Sequence, residues 1–154
     1  MKISSLIKKG AGLIVLLLIV IQFFDTDKNT AVAVSENAIE KHYPVPAQVK
    51  ALIKTSCYDC HSNTTAYPWY NNIQPVKWWL ADHVNSGKRH LNFDEFYAYS
   101  KEKKLHKLDE IAETVRNNEM PLTSYTIIHH DAKLSASEKS EIERWAAEVR
   151  KQIK

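Results

Sequence analysis

Cysteine and methionine are scarce in this chain. Among 154 residues the only cysteines are Cys57 and Cys60, and Met120 is the only methionine after the initiator. Without a second cysteine pair there is no four-cysteine zinc site; zinc would need a distant histidine to join Cys57, Cys60 and His61. No convincing apolar–polar alternation marks a strand, and no internal repeat or low-complexity tract is visible. A basic stripe with interleaved aromatics is also missing, so no nucleic-acid partner is expected. Acidic residues are absent from the first 24 positions, which carry Lys2, Lys8 and Lys9.

That acid-free start runs into GAGLIVLLLIVIQFF, residues 10–24, apolar apart from Gln22. It reads as an uncleaved transmembrane anchor or as a secretory signal peptide. Fifteen helical residues rise only about 22 Å, short of a hydrocarbon core of about 30 Å. Extension back through Leu6 and Ile7, with Lys8 and Lys9 snorkelling, closes much of the gap. Ala31-Val32-Ala33 has the small residues of a cleavage site, but Asp25, Asp27 and Lys28 precede it, an unusually charged approach that favours the anchor. The formal charge of +3 resides in the three early lysines, since the 21 basic residues less those three equal the 18 acidic ones. Positive charge stays on the cytoplasmic side. Residues 1–9 are therefore expected in the cytoplasm, 10–24 in the cytoplasmic membrane, and the body in the periplasm. Residues 25–45 read as a polar linker, and 46–154 suffice for one compact domain.

Cys57-Tyr58-Asp59-Cys60-His61 is the most informative run in the chain. Two thiols two residues apart, with histidine next, form the attachment pattern of a c-type haem. Each thiol adds across one vinyl group of the porphyrin, and the histidine becomes the proximal ligand of the iron. A thioredoxin-like dithiol would sit at the end of a strand in a βαβ unit, whereas this neighbourhood reads as helix. A plain disulfide leaves His61 without a role. One covalent haem c on Cys57, Cys60 and His61 is expected. Its assembly by the c-type maturation machinery outside the cytoplasmic membrane agrees with the export signal.

The body reads as mostly α. Val49, Leu52, Ile53 and Cys57 fall at helical spacing after Pro44 and Pro46. The long loop 62–75 is expected to wrap the porphyrin edge, with Gln74 or Pro75 supplying the carbonyl that orients His61. Pro75 suits a helix start, with Val76, Trp79, Leu80 and Val84 on one stripe and Gly87 as the stop. Asn92 to Glu95 resembles a capping box. Leu105, Leu108, Ile111, Ala112 and Val115 form a further stripe ended by Asn117-Asn118. Ser135 and Glu138 make a second capping box before a helix with Ile142, Trp145, Ala146 and Val149 on its apolar face.

Met120 lies 59 residues after His61, in a polar turn between two helices and ahead of Pro121. A thioether is a soft ligand that raises the reduction potential of haem iron, and a polar turn is a poor place for a packing methionine. Met120 is therefore the expected distal ligand, with His129 or His130 as the substitute. His42, His83, His90 and His106 read as surface residues. Trp69, Trp78, Trp79 and Trp145 read as core and pocket walls.

The order of attachment motif, Met-Pro loop and terminal amphipathic helix resembles class I cytochromes c. More closely, the chain resembles the membrane-anchored bacterial haem-binding domain proteins. The resemblance rests on Tyr43-Pro44-Val45-Pro46, Cys57 to Asn63, Tyr67-Pro68-Trp69-Tyr70, Gly87 with Leu91-Asn92-Phe93, and Glu119-Met120-Pro121-Leu122. It implies a cytochrome c-like helical domain around one haem, with crossing N- and C-terminal helices. A one-electron carrier serving redox partners at the membrane is the leading expectation, and a six-coordinate iron disfavours catalysis. A haem sensor or small peroxidase-like enzyme with a displaceable distal ligand is the alternative.

Overall fold

The computed structural model describes residues 2–154, with only the backbone described for residues 2–5; Met1 of the expected cytoplasmic segment lies outside the described residues. In chain order the helices are α1 (Lys2–Ile21), α2 (Ile39–His42), α3 (Ala47–Ser56), α4 (Tyr58–His61), α5 (Val76–His90), α6 (Lys101–Arg116), α7 (Thr123–Thr126) and α8 (Ala136–Gln152). Short 3-10 turns cover Trp69–Asn72, Phe93–Ala98 and His130–Ala132. Among the described residues the only β pairing is an isolated antiparallel bridge between Thr30 and Thr64. The mostly-α expectation is met.

The chain divides into two compact units. The first joins the segment up to Lys28 with Tyr67–His83. Its α1 presents an exposed apolar surface that includes Leu13 to Val20. The α-helix closes at Ile21, three residues before the expected end of the apolar segment. Residues 22–24 continue as three i→i−3 turns, from Gln22 to Ile19 (3.1 Å), Phe23 to Val20 (3.2 Å) and Phe24 to Ile21 (3.2 Å). Among the described residues no helix is long and apolar enough to cross a membrane.

Gln22, the polar exception in the run, has a defined partner. Its Oε1 accepts from the Gln74 N–H at 2.9 Å, and its Nε2 donates to the Gln74 carbonyl at 3.2 Å. Gln74 in turn donates from Nε2 to the Phe24 carbonyl at 2.6 Å. Its Oε1 accepts from the Trp78 N–H at 3.2 Å, serving one of the free donors of the first turn of α5. Gln74 is buried, and each of these polar atoms is satisfied.

The second unit comprises Asn29–Ala66 and Val84–Lys154. Its largest helix–helix interface is α6 on α8, with α3 also against α8. Ser135 and Glu138 form the expected capping box, and Ile142, Trp145, Ala146 and Val149 are buried on one face. Burial of Ile142 and Val149 contributes on the order of 1.5–3 kcal/mol each. Trp145 Nε1 donates to the Pro44 carbonyl at 3.1 Å, so its indole is both packed and satisfied. Ser100 caps α6 by accepting from the Lys103 N–H at 3.2 Å. After Arg116 the chain turns through Asn118, whose φ of 62° lies in the left-handed region that asparagine tolerates.

Three expectations need correction here. Gly87 does not stop α5, which continues to His90. Asn92 opens a 3-10 turn, with its side chain accepting from the Asp94 N–H, and the true cap of α6 is Ser100. Residues 29–45 do not behave as slack linker. Ala31 donates to the Asn63 carbonyl and Thr65 to the Asn29 carbonyl, both at 2.9 Å, and Ala38 and Ile39 are fully buried.

Candidate functional site

The Cys57–His61 motif is itself a helical turn. Cys57 ends α3 with its N–H donating to Ile53 at 2.9 Å, and its carbonyl accepts from His61 at 2.9 Å. Positions 57, 60 and 61 stand at i, i+3 and i+4, so the geometry of a single turn brings the three side chains to one face. Asp59 holds that turn from outside. Its carboxylate accepts from the Ala66 N–H at 2.9 Å and the Tyr125 hydroxyl at 2.7 Å, and its carbonyl accepts from the Thr65 hydroxyl at 2.6 Å.

His61 is oriented by the Leu91 carbonyl, 3.0 Å from Nδ1, and not by Gln74 or Pro75 as expected. Burial is the main cause that lowers the pKa of His61, against backbone carbonyls of Leu91 and Gly87 that favour a proton. A neutral ring held through Nδ1 leaves Nε2 for a ligand, the arrangement typical of metal-bound histidine. The Leu91 carbonyl is placed by the end of α5, where Leu91 donates to Gly87 at 2.9 Å. It is also placed by a side-chain network. The Asn92 N–H donates to the Tyr99 hydroxyl at 2.9 Å, and Asn92 Nδ2 donates to Asn63 Oδ1 at 2.8 Å. Asn63 donates from its N–H to Asp94 at 2.7 Å and from Nδ2 to Glu95 at 2.9 Å.

His61 faces a cavity of about 310 Å³. Ile53, Phe93, Ile111 and Ile142 give it apolar walls, while Cys57, His61 and Met120 all line it. Met120 arrives from the turn after α6, where the N–H groups of Glu119 and Met120 both donate to the Thr114 carbonyl, at 2.9 and 3.1 Å. Its neighbours Asn117 to Glu119 are exposed, while Met120 is half-buried. Cys60 sits one residue before His61 but does not line the cavity. Residues 62–66, the part of the loop that belongs to the same unit, are not among its lining residues.

Both thiols are free. Burial, with Cys60 nearby, pushes Cys57 up to about 12; burial, with the Asp59 charge, pushes Cys60 up to about 11. A dithiol oxidoreductase needs a depressed thiol, and burial of these two works in the opposite direction. Among the described residues no group of three or more histidine, cysteine or acidic side chains is arranged to hold a metal ion by itself.

The other aromatic and imidazole expectations divide. Trp145 is buried and does not line the cavity, while Trp69, Trp78 and Trp79 of the first unit are exposed. His129 stacks on Tyr125 with ring centres 4.3 Å apart, and neither it nor His130 reaches the cavity. His90, by contrast, lines the cavity rim with Lys107, Glu110 and Thr114. Lys107 is buried, with its ammonium on Glu110. This polar rim was open to detection from the sequence, because 107, 111 and 114 share one face of a helix whose apolar stripe includes Ile111. The lysine-rich composition of 101–107 hides it.

Two thiols on one helical turn, an imidazole with one nitrogen engaged and a soft thioether beside an apolar cavity make a donor set that suits haem. The model of a haem-binding domain matches residues 16–148. No curated protein and no solved structure matches the chain. The match covers most of the sequence and all the residues that line the cavity, and the chain belongs to the haem-binding domain family.

Proposed function

We propose that this protein carries one covalent haem c and transfers single electrons at the outer face of the cytoplasmic membrane. Cys57 and Cys60 would form the thioethers, His61 the proximal bond through Nε2, and Met120 the distal bond. Bound haem supplies a one-electron couple. The chain's own part is to hold and bury it. Leu91 fixes the imidazole, Ile53, Phe93, Ile111 and Ile142 keep water from the ring, and the Thr114 carbonyl fixes the turn that offers Met120. The observation that carries this reading is that His61 and Met120, 59 residues apart, line one apolar cavity together with Cys57.

The anchor is part of the same proposal. The apolar side chains of α1 from Leu13 to Val20 are all exposed, a surface that water solvates poorly. Three lysines precede it and no acid does, which favours a cytoplasmic start and a periplasmic domain. Partners are then redox proteins in or at that membrane, after loading by the c-type maturation machinery.

The test is the optical spectrum of the full chain co-expressed with that machinery, in ferric, ferrous and CO-exposed forms. Haem that survives acid–acetone extraction with a low-spin, CO-indifferent spectrum supports an electron carrier. A high-spin or CO-binding spectrum supports the sensor or peroxidase-like alternative. Absence of covalent haem rejects both.

A further inference from the structure

The first unit has a feature that haem binding leaves unused. Three of the four tryptophans lie within residues 67–83, and all three are exposed: Trp69 at 75%, Trp79 at 47% and Trp78 at 38%. Ile73 between them is exposed as well, and so are Phe23 and Phe24 just beyond α1, Phe23 at 83%. Large aromatic side chains left this bare in water are costly, since each forgoes the burial that ordinarily places tryptophan in a core. Charge is nearly absent from the segment. Lys77 and Asp82 are its only charged residues, and Lys77 is already paired with Asp25 at 2.7 Å.

We propose that residues 67–83 form an interfacial belt that sits in the headgroup region of the bilayer entered by α1. Tryptophan favours that region because the ring is apolar and its N–H remains wet. Continuity with α1 identifies lipid as the occupant. Gln22 binds both backbone groups of Gln74, and Gln74 binds the Phe24 carbonyl, so the aromatic segment is fastened to the end of the apolar helix. The belt also adds apolar length where α1 is short. Gly10 to Ile21 rises only about 18 Å at 1.5 Å per residue, against a core of about 30 Å. Phe23, Phe24 and the tryptophans extend contact at the outer end. This inference rests on the anchor reading above.

The full, haem-loaded chain reconstituted in phosphatidylethanolamine–phosphatidylglycerol vesicles tests it. The vesicles would carry a trace of phospholipid with a photoactivatable diazirine close to the headgroup. After irradiation, peptide mass spectrometry locates the lipid adducts. Adducts on both α1 and 67–83 are expected, and those on 67–83 should be largely lost in a chain carrying Trp69→Gln, Trp78→Gln and Trp79→Gln while those on α1 persist. Adducts on α1 with none on 67–83 overturn the belt and leave the anchor standing. So do adducts on 67–83 that are indifferent to the triple substitution. No adducts on either segment overturn the anchor and the belt together.

Discussion

Gly87 lies against Cys60 so closely that a Cβ at position 87 would stand 2.5 Å from the Cys60 carbonyl oxygen and 2.9 Å from its Cβ. Both atoms belong to the attachment turn and neither can swing aside. Within α5, exchange of glycine for alanine would ordinarily gain about 1 kcal/mol of helix propensity. Here steric overlap reverses the sign. Gly87→Ala is expected to destabilise the domain by about 1–3 kcal/mol, the usual range for overpacking, and to lower the yield of covalent haem. Chemical denaturation of the haem-loaded protein measures it, and a more stable variant would contradict this contact.

Met120→Ala removes the thioether from the cavity and leaves the attachment turn intact. Covalent haem should be retained while the spectrum becomes high-spin and CO-reactive. An unchanged low-spin spectrum would reject Met120 as the distal ligand. His61→Ala is expected to lose most attached haem, because this position lies within the attachment motif as well as on the cavity wall.

Trp145→Ala should cost about 3–5 kcal/mol, the range for deleting a buried aromatic side chain. It also orphans the Pro44 carbonyl that Nε1 now serves at 3.1 Å. Trp69→Ala, at an exposed position, should leave denaturant stability of the detergent-solubilised protein within about 0.5 kcal/mol of wild type. Equal losses at the two positions would show that both rings are packed.

Glu95 predicts an acid limb. Burial opposes its ionisation, but hydrogen bonds from Asn37, Asn63 and Ser35 outweigh that and hold its carboxyl below its ordinary value of 4.5. Its folded pKa is therefore below its unfolded pKa, so its contribution is fully present above about 4.5 and is lost as pH falls through the folded value. Wild type should lose stability faster than Glu95→Gln as pH drops below 4.5. Parallel slopes in urea titrations across that range would exclude this role.

The readable parts of the sequence were those where chemistry is local. The haem expectation came from the spacing of Cys57, Cys60 and His61 alone, and the family match supports haem. Ser135 with Glu138 announces a helix start because both capping bonds form within four residues. The stripe Ile142, Trp145, Ala146 and Val149 is a matter of helical period, and it is buried as that period requires. Met120 stood out because it is a lone soft ligand in a polar turn, and the fold brings it to the cavity that His61 lines.

Partners chosen across long separations were not readable. The carbonyl that orients His61 comes from Leu91, because α5 runs on to His90 and delivers its end to the attachment turn; any backbone carbonyl is chemically equivalent to any other until packing selects one. Gly87 looked like a helix stop because glycine serves both ends and close contacts, and only the approach of Cys60 distinguishes the two. The tryptophans of 67–83 were misassigned to the core for a related reason. Composition reports how apolar a side chain is, whereas tertiary structure decides whether protein covers it. Local spacing determined the helical class of this protein and pointed to haem, and three-dimensional packing decided which distant atoms orient and wall the site.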